Sequence, residues 1–125
     1  IPGYPNFYIM LGPYALIGSS YFKMVEGNAT HLARCIEAAR ERDATCVEIR
    51  RDVHDRYFED IQRRQQNTVF LNHNCGDSNS YYFDRHGDAP MLRPSTSFEM
   101  LWRAKHLPMD HYRFEHASAG DQDGH

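Results

Sequence analysis

GYPNFYIMLGPYALIGSSYFKMVEG, Gly3 to Gly27, is the stretch on which the fold turns. Phe7 to Leu11 is an unbroken apolar run bounded by Pro5 and by Gly12-Pro13, which predicts a strand buried on both faces of a sheet. A loop of small residues follows, and Ser19 and Ser20 are N-cap candidates for the helix beyond it. A helix start leaves backbone N–H groups unpaired and carries roughly half a positive charge, so this turn is placed to receive a phosphate, a carboxylate or another electron-rich oxygen.

Working outward, Ser20 to Arg42 sets Phe22, Val25, Ala29, Leu32, Ala33, Ile36 and Ala39 three or four residues apart, the period of a helix with one buried face. Lys23, Glu26, Arg34, Glu37, Arg40 and Glu41 fall largely on the other side. Gly27, inside this helix, gives up about 1 kcal/mol of helix propensity relative to Ala, which points to close packing against another backbone or a ligand. Thr45 to Arg50 alternates Val47 and Ile49 with polar residues and predicts a short half-buried strand. A second helix is expected over Asp52 to Gln66, with Asp52 as N-cap, Val53, Tyr57, Phe58 and Ile61 on one face, and Arg63 to Asn67 as its solvated end.

From Thr68 the helical period is lost. Thr68 to Leu71 and Tyr81 to Phe83 are short β-like pieces separated by Asn, Asp, Ser and Gly, and Asp84 to Asp88 is turn chemistry. Pro94 precedes a short helix over Ser95 to His106, with Phe98, Leu101 and Trp102 expected inward. Residues 116–125, HASAGDQDGH, are small and polar and predict a disordered tail.

Composition narrows the function classes. The chain has 125 residues, enough for one domain that buries about two-thirds of its surface. Its mean hydropathy of -0.72 leaves little core material to spare. Fourteen basic against 17 acidic residues, a net charge of -3, argues against nucleic acid. No run approaches the ~20 apolar residues of a membrane span, and no signal-peptide pattern is present. Cys35, Cys46 and Cys75 are odd in number and widely spaced, which fits neither paired disulfides nor a metal site and suits the reducing cytoplasm. Ile1-Pro2-Gly3 leads straight into a core strand without an initiator Met, so the chain reads as cut from something longer, with a processed precursor as the alternative.

Eight histidines, His31, His54, His73, His86, His106, His111, His116 and His125, form no HxxxH or HExxH pair, so surface, capping or packing roles are expected and no metal is assigned. No motif beside Cys75 and His73 orients a base for a thiol nucleophile, and Ser19 and Ser20 lack the GxSxG elbow. The sequence therefore offers no catalytic side chain. Tyr81, Tyr82 and Phe83 are expected in a core or an interface.

Pro5 to Gly27 resembles the C-terminal part of class B flavoprotein monooxygenases, the Baeyer-Villiger and flavin-containing monooxygenase group, whose pattern there is PNLFxxxGPNxxxGHxSxxxMIEAQ. The resemblance continues in order through the Arg-rich helix end, the VEIR strand, the second helix, and TVF, Cys75, SYYFD, HGD and Pro between Thr68 and Pro94, so it covers nearly the whole chain except its tail. It implies an α/β fold class, the C-terminal piece of a flavoprotein with two dinucleotide-binding domains, helix-dominated and not self-contained. Residues 1–44 would be the strand, GP turn and helix of the FAD-binding domain, residues 45–115 a C-terminal extension, and residues 116–125 a tail.

The implied activity is insertion of one oxygen atom from O2 into a ketone or a soft heteroatom, dependent on FAD and NADPH. By position, Gly18, Ser19, Ser20 and Phe22 would face the flavin, and Tyr14, Leu16 and Ile17 would line the substrate pocket. Tyr14 stands where many members have Asn, and Ser19 where many have His, so backbone N–H groups would carry the cofactor contacts here. The family's two GxGxxG turns are missing from this stretch, which makes the N-terminal FAD- and NADPH-binding part of the same chain its implied partner. Alone, the chain is expected to hold FAD poorly and to self-associate into a homo-oligomer. The alternative is a non-catalytic interaction module derived from the same lineage.

Overall fold

A computed structural model describes residues 1–15, 20–68, 71 and 82–117. The described residues form a small, helix-dominated α/β unit of three helices and a two-stranded sheet. Helix α1 spans Tyr21–Glu41, strand β1 Cys46–Ile49, helix α2 Arg51–Gln65, helix α3 Ser97–His106 and strand β2 Tyr112–Glu115. A single 3-10 turn, Met109–His111, leads into β2.

The sheet is antiparallel, with Val47 opposite Phe114 and Glu48 opposite Arg113. Alternation puts Val47 and Phe114 against α1 and leaves Glu48 and Arg113 outside as an ion pair of 2.9 Å. The core lies where the sheet meets the C-terminal half of α1: Cys35, Ala39 and Val47 are buried there, with Tyr8, Met109 and Tyr112 closing over them.

Four of the expected elements, α1, β1, α2 and α3, form within a residue or two of the predicted bounds, but the buried faces differ. On α1 the buried residues are Met24, Gly27, Cys35, Ala38 and Ala39, while Phe22 is 80% and Ile36 52% exposed. The cause is Gly27. A Cβ there would sit 2.7 Å from Met100 Sδ and 3.4 Å from Leu101 Cδ2, so its absence lets α3 lie directly on that side of α1. Arg34 turns the same way, donating to the Ala104 and Leu107 carbonyls at 3.0 and 2.8 Å and satisfying the end of α3. On α3, Phe98 is 80% exposed and Trp102 54% exposed, and Ala104 is buried in their place.

Phe7 to Leu11 does not form the expected inner strand: its residues are irregular and turn, and Phe7 and Ile9 stay largely exposed. The available edge of β1 is taken by a side chain. Asn6 N–H donates to the Val47 carbonyl, Asn6 Oδ1 accepts from Val47 N–H, and Asn6 Nδ2 donates to the Thr45 carbonyl, each at 2.9 Å. Asn6 does this at φ 59°, a left-handed conformation that Asn tolerates.

Asp52 is not the N-cap of α2. Arg50 holds that position, and the Asp52 carboxylate lies in the first turn, bridging Arg50 and Arg56. The supposedly solvated end of α2 contains a buried amide, Gln65, whose Nε2 donates to the carbonyls of Ala89 and Leu92 at 2.8 and 2.9 Å. Between them these bonds hold segment 82–94 onto α2. The turn at Asp84 forms as expected, with Oδ1 accepting from the N–H groups of His86 and Asp88. Leu71 N–H closes a turn onto the Thr68 carbonyl where a β-like piece was expected, with residues 69 and 70 outside the described residues; of the other expected piece, Tyr81 lies outside them, and Tyr82 and Phe83 form a turn and bend rather than a strand. The first residues of the expected tail are held: His116 Nδ1 meets the Asp43 carbonyl at 3.0 Å and Ala117 N–H donates to Thr45 Oγ1 at 2.7 Å.

Tyr14 also has a left-handed backbone, φ 59°. A Cβ in that region is strained by roughly 1 kcal/mol, so the usual order of small substitutions should invert. Tyr14→Gly is expected to be about 1 kcal/mol more stable than Tyr14→Ala in urea denaturation, since both lose the ring and only Ala retains the strain. An Ala variant as stable as the Gly variant would show that the left-handed turn is absent in solution.

Candidate functional site

Of the residues the sequence assigns to cofactor and substrate, Leu16, Ile17, Gly18 and Ser19 lie outside the described residues. Ser20 is the N-cap of α1 and is exposed; its side chain makes no capping hydrogen bond, and the first turn contains no acidic residue. The positive end of a 21-residue helix is thus free of any protein anion in its first turn. Phe22 projects from that turn with its ring edge-on to Tyr21 at 5.7 Å. Tyr14 is half-buried, edge-on to Phe58 of α2 at 5.6 Å, and its N–H donates to the Pro90 carbonyl. Burial and the carboxylates of Asp88 and Asp84 push the Tyr14 hydroxyl above its ordinary range. No described contact joins Tyr14 to Ser20 or Phe22.

A cleft with an apolar wall lies elsewhere. Side chains of α2 and α3 meet across a cleft of about 630 Å³ that is lined by α1, α2, α3 and the start of β2. Ile49, Val53, Ile61, Met100 and Leu107 form its apolar wall.

At one end, Arg64 grips Glu99 with two parallel hydrogen bonds of 2.7 and 2.8 Å, and Arg103 reaches the same carboxylate at 3.2 Å. The Arg64 hydrogen bonds hold the Glu99 carboxyl below the usual carboxylate range, with Arg103 and Arg93 adding to the effect against its burial. Arg103 also lies over the Tyr57 ring at 5.5 Å. Burial pushes Arg93 below the usual guanidinium range, with the charges of Tyr57 and Glu99 opposing it, and its Nη2 donates to Ser97 Oγ at 3.2 Å.

At the other end, His31 Nε2 is 2.7 Å from Tyr112 Oη and 3.6 Å from Cys35 Sγ. Burial lowers the His31 pKa and Arg34 lowers it further, while the neighbouring Ala104 carbonyl partly offsets both, so the imidazole is neutral at pH 7. Burial also raises Cys35 and Tyr112. A neutral imidazole beside a protonated thiol and phenol is a packing arrangement with no thiolate to act as nucleophile. Among the described residues no three His, Cys, Asp or Glu side chains come together as a metal site.

Capping accounts for other histidines: His106 meets the Trp102 carbonyl at 2.8 Å and its ring stacks on the indole at 4.8 Å. The cleft residues Tyr57, Arg64, Glu99 and Arg103 escape sequence reasoning because α2 and α3 meet across 35 residues of chain, and no local spacing marks that meeting.

No family model matches this chain, and neither does any curated protein or solved structure. No described helix is long and apolar enough to cross a membrane.

Proposed function

We propose that the chain is the C-terminal part of an FAD- and NADPH-dependent cytoplasmic monooxygenase that inserts one oxygen atom into a ketone or a soft heteroatom, and that it forms one wall of the flavin and substrate site. The observation that carries this reading is the entry to α1: a Gly12-Pro13 turn, an exposed Ser20 with no side-chain cap, and a first turn without an acid. Bound FAD, reduced by NADPH, supplies the oxygen-transfer chemistry. The chain's own contribution is to present the backbone N–H groups around Gly18, Ser19 and Ser20 to the cofactor's electron-rich edge, to cover it with Phe22, and to shape the substrate side with Tyr14, Leu16 and Ile17.

Support also comes from the outer side of α1. Phe22, Ala29, Ala33 and Ile36 are exposed there, next to the face that packs on α3, so apolar residues cover most of the helix circumference. A helix apolar on most sides belongs in the interior of a larger assembly. The same exposed aromatics favour the second reading, an interaction module without catalysis, which has the same need for a covering surface.

The two readings separate on the product of the whole reading frame that contains this segment. The monooxygenase reading expects one FAD per chain, and oxygen uptake with NADPH that rises when ketones or sulfides are added. The 125-residue chain by itself should bind FAD no tighter than about 10 μM, because most of the cofactor's contacts would lie elsewhere while the ordering costs of binding remain. A colourless full-length product, or sub-micromolar stoichiometric FAD binding by the chain alone, would overturn the proposal.

A further inference from the structure

We infer that the cleft between α2 and α3 is a binding site for a small organic carboxylate with an apolar body. It stands on residues other than those of the flavin reading and does not depend on it.

The first observation is a concentration of unpaired donors. His31 Nδ1 and His111 Nδ1 are buried without a hydrogen-bond partner, and both imidazoles line the cleft; Nε and Nη1 of Arg93 are likewise unpartnered, and Arg93, outside the lining, feels the charges of Tyr57 and Glu99 within it. A buried polar group left without a partner costs about 1–3 kcal/mol, and native proteins carry few of them. Two at one cleft, with a third residue's donors near it, indicate that something else completes them. The guanidinium N–H groups can only donate, and each imidazole Nδ1 donates in one tautomer, so the polar end of the ligand must accept.

The second observation is charge. The carboxylate of Glu99 is shared by Arg64 and Arg103 and also feels the charge of Arg93, so two guanidiniums pair with one carboxylate and a third adds to the positive field. Asp60 lies 3.8 Å from Arg64 and also pairs with Arg63. An anionic acceptor is favoured there over a neutral one, and a cation is opposed.

The third observation is the wall. Ile49, Val53, Ile61, Met100 and Leu107 offer apolar surface to the body of a ligand, and a cleft of about 630 Å³ lies within the usual size range of small-molecule sites. Ordered water alone would satisfy the donors but would leave this apolar wall wet. A carboxylate with an aliphatic or aromatic body meets both requirements.

Octanoate, 1-octanol and acetate, titrated separately into the 125-residue chain, test the inference, with the imidazole ¹H–¹⁵N signals of His31 and His111 as reporters. Octanoate should shift both saturably with a Kd below about 1 mM, and at least about tenfold tighter than either octanol or acetate. Arg93→Met should weaken octanoate about tenfold while leaving the chain at least as stable to urea, because it removes buried donors that lack partners. Arg113→Met, at the outer sheet edge, should leave binding unchanged. Equal binding of octanol would reduce the cleft to an apolar groove, and equal binding of acetate would reduce it to a general anion effect; either overturns the inference, as does the absence of a saturable shift up to 10 mM octanoate. Should Arg93→Met fail to fold, the three wild-type titrations decide the matter by themselves.

Discussion

Gln65→Leu is expected to release segment 82–94 from α2 and to cost about 2 kcal/mol, although Leu is apolar and of comparable volume. Gln65 is 3% exposed, and its amide nitrogen is the bridge to the carbonyls of both Ala89 and Leu92. The Ala89 carbonyl retains the Leu92 N–H as a second donor, whereas among the described residues no other donor is seen for the Leu92 carbonyl. Leucine would therefore leave one buried carbonyl bare and the other half satisfied, at the cost of an unmade hydrogen bond rather than of lost volume. Ala89 and Leu92 are themselves buried, so the opening spreads to the core contacts they make. Hydrogen exchange should report it locally. An opening free energy lower by 2 kcal/mol is about a thirtyfold loss of protection at the Leu92 amide, with the α1 amides less affected. Unchanged protection at Leu92 would mean that the segment is held by something other than the Gln65 amide.

What the sequence made legible was periodicity, and what it hid was direction. The long helix at Tyr21–Glu41 and the strand at Cys46–Ile49 follow from spacing alone. The choice of face on α1 does not, because the helix carries two apolar sides. Volume favours Phe22, Val25, Leu32 and Ile36. The structure buries the smaller set, Met24, Gly27, Cys35, Ala38 and Ala39, because only that side has room for α3 at Gly27. The expected strand at Phe7 to Leu11 failed for a related reason. Its apolar run suits a strand with neighbours on both sides, and the β1 edge it might have joined is occupied by the backbone and side chain of Asn6. The final strand, Tyr112–Glu115, is four residues long and becomes recognisable only through its register with β1.

The cleft was the least legible part. Glu99, Arg103 and Arg64 are ordinary helix-surface residues until α2 and α3 are placed side by side. His31 and His111 were visible only as histidines without a metal pattern. Gln65 sat inside a run of arginines, glutamines and asparagine that reads as solvent-facing, and nothing in its neighbours signals that a later loop folds over it. Half of the sequence-assigned flavin contacts, Gly18 and Ser19, lie outside the described residues, so the entry to α1 is argued from Ser20 and Phe22.

Ile61→Ala is expected to cost about 3 kcal/mol, the largest loss from any single truncation considered. Ile61 is 1% exposed and is one of the two largest fully buried side chains, and its removal subtracts about three methylene equivalents and leaves a cavity beside an already open cleft. The surroundings cannot collapse to fill it, because the Arg64–Glu99 bridge keeps α2 and α3 at their present separation. Against the 5–15 kcal/mol typical of a domain, that is a large fraction of the whole. Phe98→Ala and Phe22→Ala provide the contrast. Both remove more carbon, and both residues were expected inside on sequence pattern, yet at 80% exposure each should cost less than about 0.5 kcal/mol in the 125-residue chain. Urea denaturation of the three variants ranks them directly. In the full-length product of the reading frame the order should change: if the outer face of α1 and the Phe98 side of α3 are covered there, the two Phe→Ala costs rise to several kcal/mol while that of Ile61→Ala stays where it was. Phe→Ala costs that are large in the chain itself would mean that these faces are already paired, by a second copy, and a concentration-dependent midpoint would identify that pairing.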